Sequence, residues 1–194
     1  DMNIGTAKIT TLEQKKYPHA LIDIINPNQE FSVSDYVKLC RIEIEKAYKL
    51  NKIPILVGGT GLYMKSLLFP YSFSQTIKNE EKREYYKLLA KEKGNEFVFD
   101  ILKQKDPQRA KCLHPNDVKR VIRSLEIIDT VGSFKQDEIE SEYDYKLIVL
   151  TCEREILYDR INKRVDEMFD NGLEDEVKSV IKNYNLTKDS QSMK

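Results

Sequence analysis

Apolar residues along this chain fall into two patterns. Residues 20–25, 53–57 and 145–150 are short apolar runs closed by turn residues or charges, the pattern of buried strands. Pro54 fits such a strand only near its start, because proline has no N–H for a ladder. Elsewhere the apolar positions recur at helical spacing. Val33, Tyr36, Val37, Cys40, Ile44, Ala47 and Tyr48 make one stripe and predict a helix that stops near Asn51. Ser32, with Asp35 three residues on, opens it as a capping box in which Asp replaces the usual Glu or Gln. Residues 62–68 predict a helix directly after the second run. Strand, helix, strand, helix implies parallel pairing through a right-handed crossover.

From Pro70 to about Tyr143 helical periods dominate, with helices expected over 80–91, 97–103 and 116–129. Residues 137–142 read as an acidic, solvated linker. After the third apolar run, a helix over 155–170 should turn Ile156, Leu157, Ile161, Val165 and Met168 or Phe169 inward. Asn171-Gly172 ends it as a left-handed cap, and a last helix carries Leu173, Val177, Val180 and Ile181. The economical organisation is an α/β core formed by residues 1–70 and 143–194, with a helical insertion at 71–142. Three strands are thin for such a sheet, so the chain reads as a fragment of a longer protein.

Composition adds limits. The 194 residues are 40% hydrophobic and 33% charged, and no run approaches a membrane span of roughly 20 apolar residues. Lys and Arg number 32, as do Asp and Glu, which removes a global excess of base as an argument for a nucleic-acid partner. The charges are nevertheless segregated. Six basic residues face two acidic ones between Lys105 and Arg123, and five acids crowd between Asp137 and Asp144. Cys40, Cys112 and Cys152 show no paired or zinc-like spacing and read as reduced thiols of a cytoplasmic protein. A histidine base has two candidates, His19 and His114.

Three features could carry chemistry. Gly58-Gly59-Thr60-Gly61 turns from an apolar run into a helix, which leaves N–H groups and a helix N-terminus aimed at an anion, with a hydroxyl on Thr60 for a developing charge. The alternative is a tight turn in which Gly serves positive φ and Thr caps the helix. No GxxxxGK[ST] loop occurs in the chain. Second, Lys119, Arg120 and Arg123 cluster over the first turns of a helix opened by Asn116 or Asp117, a patch suited to phosphates. A solvated face is the alternative, with Arg123 snorkelling beside Val118, Ile122 and Leu125 and His114 serving helix entry. Third, Arg160 and Arg164, at i,i+4, form a fork for a diphosphate or else pair with Asp159 or Glu167. Asp166 beside them is a salt-bridge partner or a magnesium ligand.

Together these segments resemble the bacterial tRNA dimethylallyltransferase (tRNA isopentenyltransferase) family. The resemblance rests on Ile4-Gly5-Thr6-Ala7-Lys8, Pro18-His19-Ala20-Leu21-Ile22-Asp23, Val57-Gly58-Gly59-Thr60-Gly61-Leu62-Tyr63, Asp106-Pro107, His114-Pro115-Asn116-Asp117 with Arg120 and Arg123, Asp166-Glu167-Met168, and Gly172-Leu173 with Glu176-Val177. Asn3, Ile9 and Ser124 depart from its usual residues. It implies a P-loop-NTPase-like parallel sheet core with a helical insertion that grips a tRNA anticodon stem-loop. The implied reaction moves a dimethylallyl group from dimethylallyl diphosphate to the exocyclic amine of the adenosine 3′ of the anticodon. By position, Thr60 would be catalytic, and Arg160, Arg164, Gly58 and Gly59 would bind the diphosphate. Arg83, Lys119, Arg120, Val121, Ile122 and Arg123 would contact tRNA. Mg2+ would bridge diphosphate oxygens, with no metal ligand assigned in this chain. A cytoplasmic monomer is expected, and the resemblance implies a phosphate loop and general-base Asp that precede Asp1, so this polypeptide alone is expected to be inactive. The rival functions are an adenylate isopentenyltransferase acting on free AMP, a non-catalytic RNA-binding module and, with less in its favour, a nucleoside-phosphate kinase.

Overall fold

A computed structural model describes residues 2–69, 79–132 and 140–193. Among these, the chain forms nine α-helices: α1 (Thr11–Lys16), α2 (Val33–Lys49), α3 (Gly61–Leu68), α4 (Glu80–Lys93), α5 (Asn95–Lys105), α6 (Pro107–Lys111), α7 (Val118–Val131), α8 (Arg154–Asp170) and α9 (Leu173–Tyr184). Two compact units divide it, one of residues 1–67 with 144–194 and one of residues 68–143.

Local chemistry sets the helix ends. Ser32 and Asp35 make the expected reciprocal cap on α2, and Thr10 with Glu13 makes a second one on α1. Val37, Cys40 and Ile44 are the buried stripe of α2, while Tyr48, expected inward, is half exposed. Asp106 caps α6, whose first residue is Pro107, the position where a missing N–H costs nothing. Gly132 ends α7 and Gly172 follows α8, both at left-handed φ (85° and 89°).

In the unit of residues 68–143, α5 lies against α4, α6 and α7, and α4 against α7. Tyr86, Val98, Phe99, Leu102, Val121 and Leu125 are central to the core that these helices enclose.

The expected parallel sheet is not there: the described residues contain no strand and the fold is helical. Residues 20–25 are broken by bends, with Leu21 and Asp23 at φ 60° and 55°. Residues 53–57 and 145–150 form no ladder, and their side chains face out: Val57 is 90% and Leu150 91% exposed. The reason is where backbone hydrogen bonds close. A helix satisfies them within itself, whereas a strand needs a neighbouring strand, and no described segment supplies one. The expected inward face of α8 fails likewise. Nothing along it is buried, and Ile156, Leu157, Ile161, Val165 and Phe169 are 42–60% exposed. On α9 Val180 is buried, but Val177 and Ile181 are partly exposed. Of the expected acidic linker, residues 137–139 lie outside the described residues. No helix among the described residues is long and apolar enough to cross a membrane.

Candidate functional site

In the unit containing residues 1–67 and 144–194, α3 starts on the Thr60 carbonyl, which accepts the N–H of Tyr63 at 3.0 Å. Thr60 is exposed at this entry, as are Gly58 and Gly59. None of Gly58, Gly59 and Gly61 has positive φ, so the turn does not need glycine for its backbone angles. A Cβ at Gly59 or Gly61 would meet nothing within 4 Å, and at Gly58 only Met64 Cε at 3.8 Å. The glycines therefore leave open space in front of the helix N-terminus, where N–H groups have no partner inside the helix. Tyr63, one turn on, stacks on Tyr36 of α2 with ring centroids 4.6 Å apart, which ties the start of α3 to α2.

Arg160 and Arg164 stand exposed on α8. The alternative of ion pairing with Asp159 or Glu167 is not realised, since neither guanidinium joins an ion pair among the described residues. A cleft of about 370 Å³ in the same unit is lined by Lys8, Asp23, Asn26, Phe31, Tyr63 and Gln191 among others, but not by Thr60, Arg160 or Arg164. Lys8 and Asp23 form an ion pair at its wall. Glu176 of α9 joins two of the segments singled out in the sequence. Its carboxylate accepts the backbone N–H groups of Asn3 (2.6 Å), Ile4 (2.9 Å) and Gly5 (2.9 Å). A Cβ on Gly5 would lie 3.1 Å from Leu173 Cδ1, so a larger residue there would make the leucine shift by a few tenths of an ångström.

In the unit of residues 68–143, Asp117 caps α7 and pairs with Arg120 at 3.3 Å. His114 serves helix entry: its ring Nδ1 accepts the N–H of Asn116 and its carbonyl that of Asp117. Lys119 is exposed and joins no ion pair among the described residues, and the Arg120 side chain is 72% exposed. Val121 and Ile122 lie in the core at 1% and 4% exposure, so their side chains hold the helix down and do not face solvent.

Arg83 and Arg123 meet at a residue that the sequence reading missed. Glu126 of α7 is fully buried. Arg83 of α4 donates from Nε (3.2 Å) and Nη2 (2.9 Å) to Glu126 Oε2, and Nη2 also reaches Oε1 at 3.2 Å. Arg123 Nη1 lies 2.8 Å from Oε1, which also accepts the N–H of Asn79 at 2.9 Å. Burial pushes the Glu126 carboxyl up, but the Asn79 N–H and the two guanidiniums outweigh it and hold the group below its ordinary value. Along α7, Asp129 accepts from the Tyr86 hydroxyl at 2.7 Å and pairs with Lys105. The signal was present: Glu126 sits four residues after Ile122, on a stripe that otherwise reads as apolar.

No three His, Cys, Asp or Glu side chains among the described residues are grouped to hold a metal ion, and a Mg2+ carried on diphosphate oxygens does not need such a group.

The model of the IPP transferase family matches residues 1–194. The chain belongs to the IPP transferase family. It is 46% identical over 185 residues to a tRNA dimethylallyltransferase of Alkaliphilus oremlandii, covering 93% of this chain and 59% of that protein. A Bacillus licheniformis relative of the same description is also 46% identical, with 58% of its length covered. The chain therefore spans about three-fifths of the length of these relatives. Among solved structures, the tRNA isopentenylpyrophosphate transferase of Bacillus halodurans is similar at 40% identity and TM-score 0.63, over 98% of this chain and 60% of that one. A eukaryotic dimethylallyltransferase acting on tRNA matches at 28% identity and TM-score 0.78, over 95% of this chain and 47% of that one.

Proposed function

We propose that this chain is part of a tRNA dimethylallyltransferase. The observation that carries the reading is the family match across all 194 residues, joined to relatives described by that activity. The helical unit supports the RNA side of it, with Lys119 and Arg120 exposed on a helix whose other face is locked into a core. The other unit supports the diphosphate side, with two unpaired guanidiniums one turn apart on α8.

In the proposed reaction the exocyclic amine nitrogen of a target adenosine attacks the first carbon of the dimethylallyl group. The carbon–oxygen bond to diphosphate breaks, its electron pair leaves with the diphosphate, and the amine gives up a proton to a base. Arg160 and Arg164 neutralise the departing charge, and the Thr60 hydroxyl hydrogen-bonds the extruded adenosine or the leaving oxygen. Lys119, Arg120, Arg123 and Arg83 hold the anticodon stem-loop, with Val121 and Ile122 acting from the core beneath them. The test is binding of a fluorescein-labelled anticodon stem-loop RNA and of free AMP to the 194-residue chain. Salt-sensitive binding of the RNA, weakened by Lys119→Ala and Arg120→Ala, is expected. Binding of AMP in preference to the RNA would move the reading to an adenylate isopentenyltransferase.

A further inference from the structure

Glu126 cannot touch RNA, because no part of it reaches solvent. A carboxylate in a helical core is an expensive way to join two helices. Well-packed apolar residues of similar volume do as well or better, so stability alone gives little reason for it. What the carboxylate does provide is a common anchor for two guanidiniums from different helices. Arg83 Nη2 donates to Oε1 at 3.2 Å, and Arg123 Nη1, itself buried, forms an ion pair with the same oxygen at 2.8 Å. The two arginine side chains are 25% and 40% exposed overall, with Arg123 Nη1 itself buried. Glu80, half exposed, forms an ion pair with Arg83 Nη1 at 3.6 Å.

Building on the tRNA reading, we propose that Glu126 is a positioning residue that sets the Arg83 and Arg123 guanidiniums side by side as a preformed seat for one phosphate of the RNA backbone. Two long side chains held this way have lost their rotational freedom before RNA arrives, so less is lost on binding. The planar guanidinium fork makes the arrangement specific to arginine, and lysine at either position does not reproduce it.

Charge alone and positioning predict opposite signs. Glu126→Gln removes a negative charge beside the phosphate, which by simple electrostatics tightens RNA binding. Positioning predicts that Glu126→Gln weakens it about tenfold. The measurement is anisotropy of the labelled anticodon stem-loop with the 194-residue chain, with folding checked by far-UV circular dichroism. In an Arg83→Lys/Arg123→Lys background, the same Glu126→Gln change should have no further effect. Glu126→Asp, one methylene too short to serve both arginines, should also weaken binding, and it provides the test should the Gln variant not fold. Unchanged or tighter binding by the folded variants overturns the proposal, as does a full tenfold loss that persists in the double-lysine background. Binding that depends on Lys119 and Arg120 but not on Glu126 overturns this proposal alone. An unmodified chain that fails to bind the RNA overturns the tRNA reading as well.

Discussion

The unit of residues 68–143 and the unit of residues 1–67 with 144–194 use similarly apolar segments with opposite results. In the first, α7 carries Val121, Ile122, Leu125 and Ile128 into a core where Leu125 is fully buried. In the second, Ile53, Ile55, Val57 and Leu147 to Leu150 are at least as apolar and lie 65–91% exposed. Helices close their own backbone hydrogen bonds, so an apolar stripe needs only another stripe to pack against. An extended run must find both a ladder partner and a covering layer, and apolar content supplies neither. The chemistry divides along the same line. The helical unit presents its cations from a packed scaffold, and the other unit presents Thr60, Arg160 and Arg164 from exposed elements.

The sharpest way to break this contrast is to truncate one apolar side chain to alanine on each side. Leu125→Ala should cost about 3 kcal/mol of unfolding free energy, in the range of buried leucine truncations. Val57→Ala, at a 90% exposed position, should stay within about 0.5 kcal/mol. Urea unfolding followed by far-UV circular dichroism reads both. Equal losses would mean that residues 53–57 are covered in solution.

Next in size is the pair on α8. Replacing Arg160 and Arg164 together by Ala should weaken the affinity for inorganic diphosphate about tenfold, or roughly 1.4 kcal/mol. Because neither side chain joins an ion pair among the described residues, the melting temperature should not move. Titration calorimetry and a thermal scan on one preparation test both halves. Loss of stability without loss of diphosphate affinity would assign the arginines to structure.

A third substitution measures how much of the fold was legible in the sequence. Ser32→Ala removes a cap that the spacing of Ser32 and Asp35 already predicts, and should cost about 1 kcal/mol in the same urea experiment. Features written in a few neighbouring residues were readable in this way: the α2 cap, the extents of α4, α5, α7 and α8 to within two residues, and the Gly172 cap. The α6 turn was missed although Asp106-Pro107 spells its start, and so was the Thr10–Glu13 cap. The strands were misread because an apolar run states a preference for burial and not the presence of a partner. At the candidate sites, residue types and spacing marked Thr60, Arg160, Arg164 and the α7 cations. They could not show that Arg83 and Arg123, 40 positions apart, meet on Glu126, because that depends on how α4 packs on α7.

The smallest expected effect compares the two structural carboxylates across the units. Burial pushes the Glu176 carboxyl up, but the N–H groups of Gly5, Ile4 and Asn3 outweigh it and hold the group below its ordinary value of 4.5. A depressed carboxyl contributes stability above its unfolded value and loses it as pH falls through the folded one, so the clamp on residues 3–5 should open in acid, below pH 4.5. Glu126 shifts in the same direction, but it is fully buried, so its loss should unsettle the α4–α7 packing as a whole. Glu176 is only partly buried, and its release should stay local. Hydrogen exchange corrected for intrinsic rates should show the amides of Asn3, Ile4 and Gly5 losing protection in acid as one local group, and α4 and α7 losing theirs together. Glu176→Gln should expose those amides at neutral pH and abolish their acid response. Protection of residues 3–5 that is unchanged in Glu176→Gln would show that the clamp does not depend on an ionised Glu176.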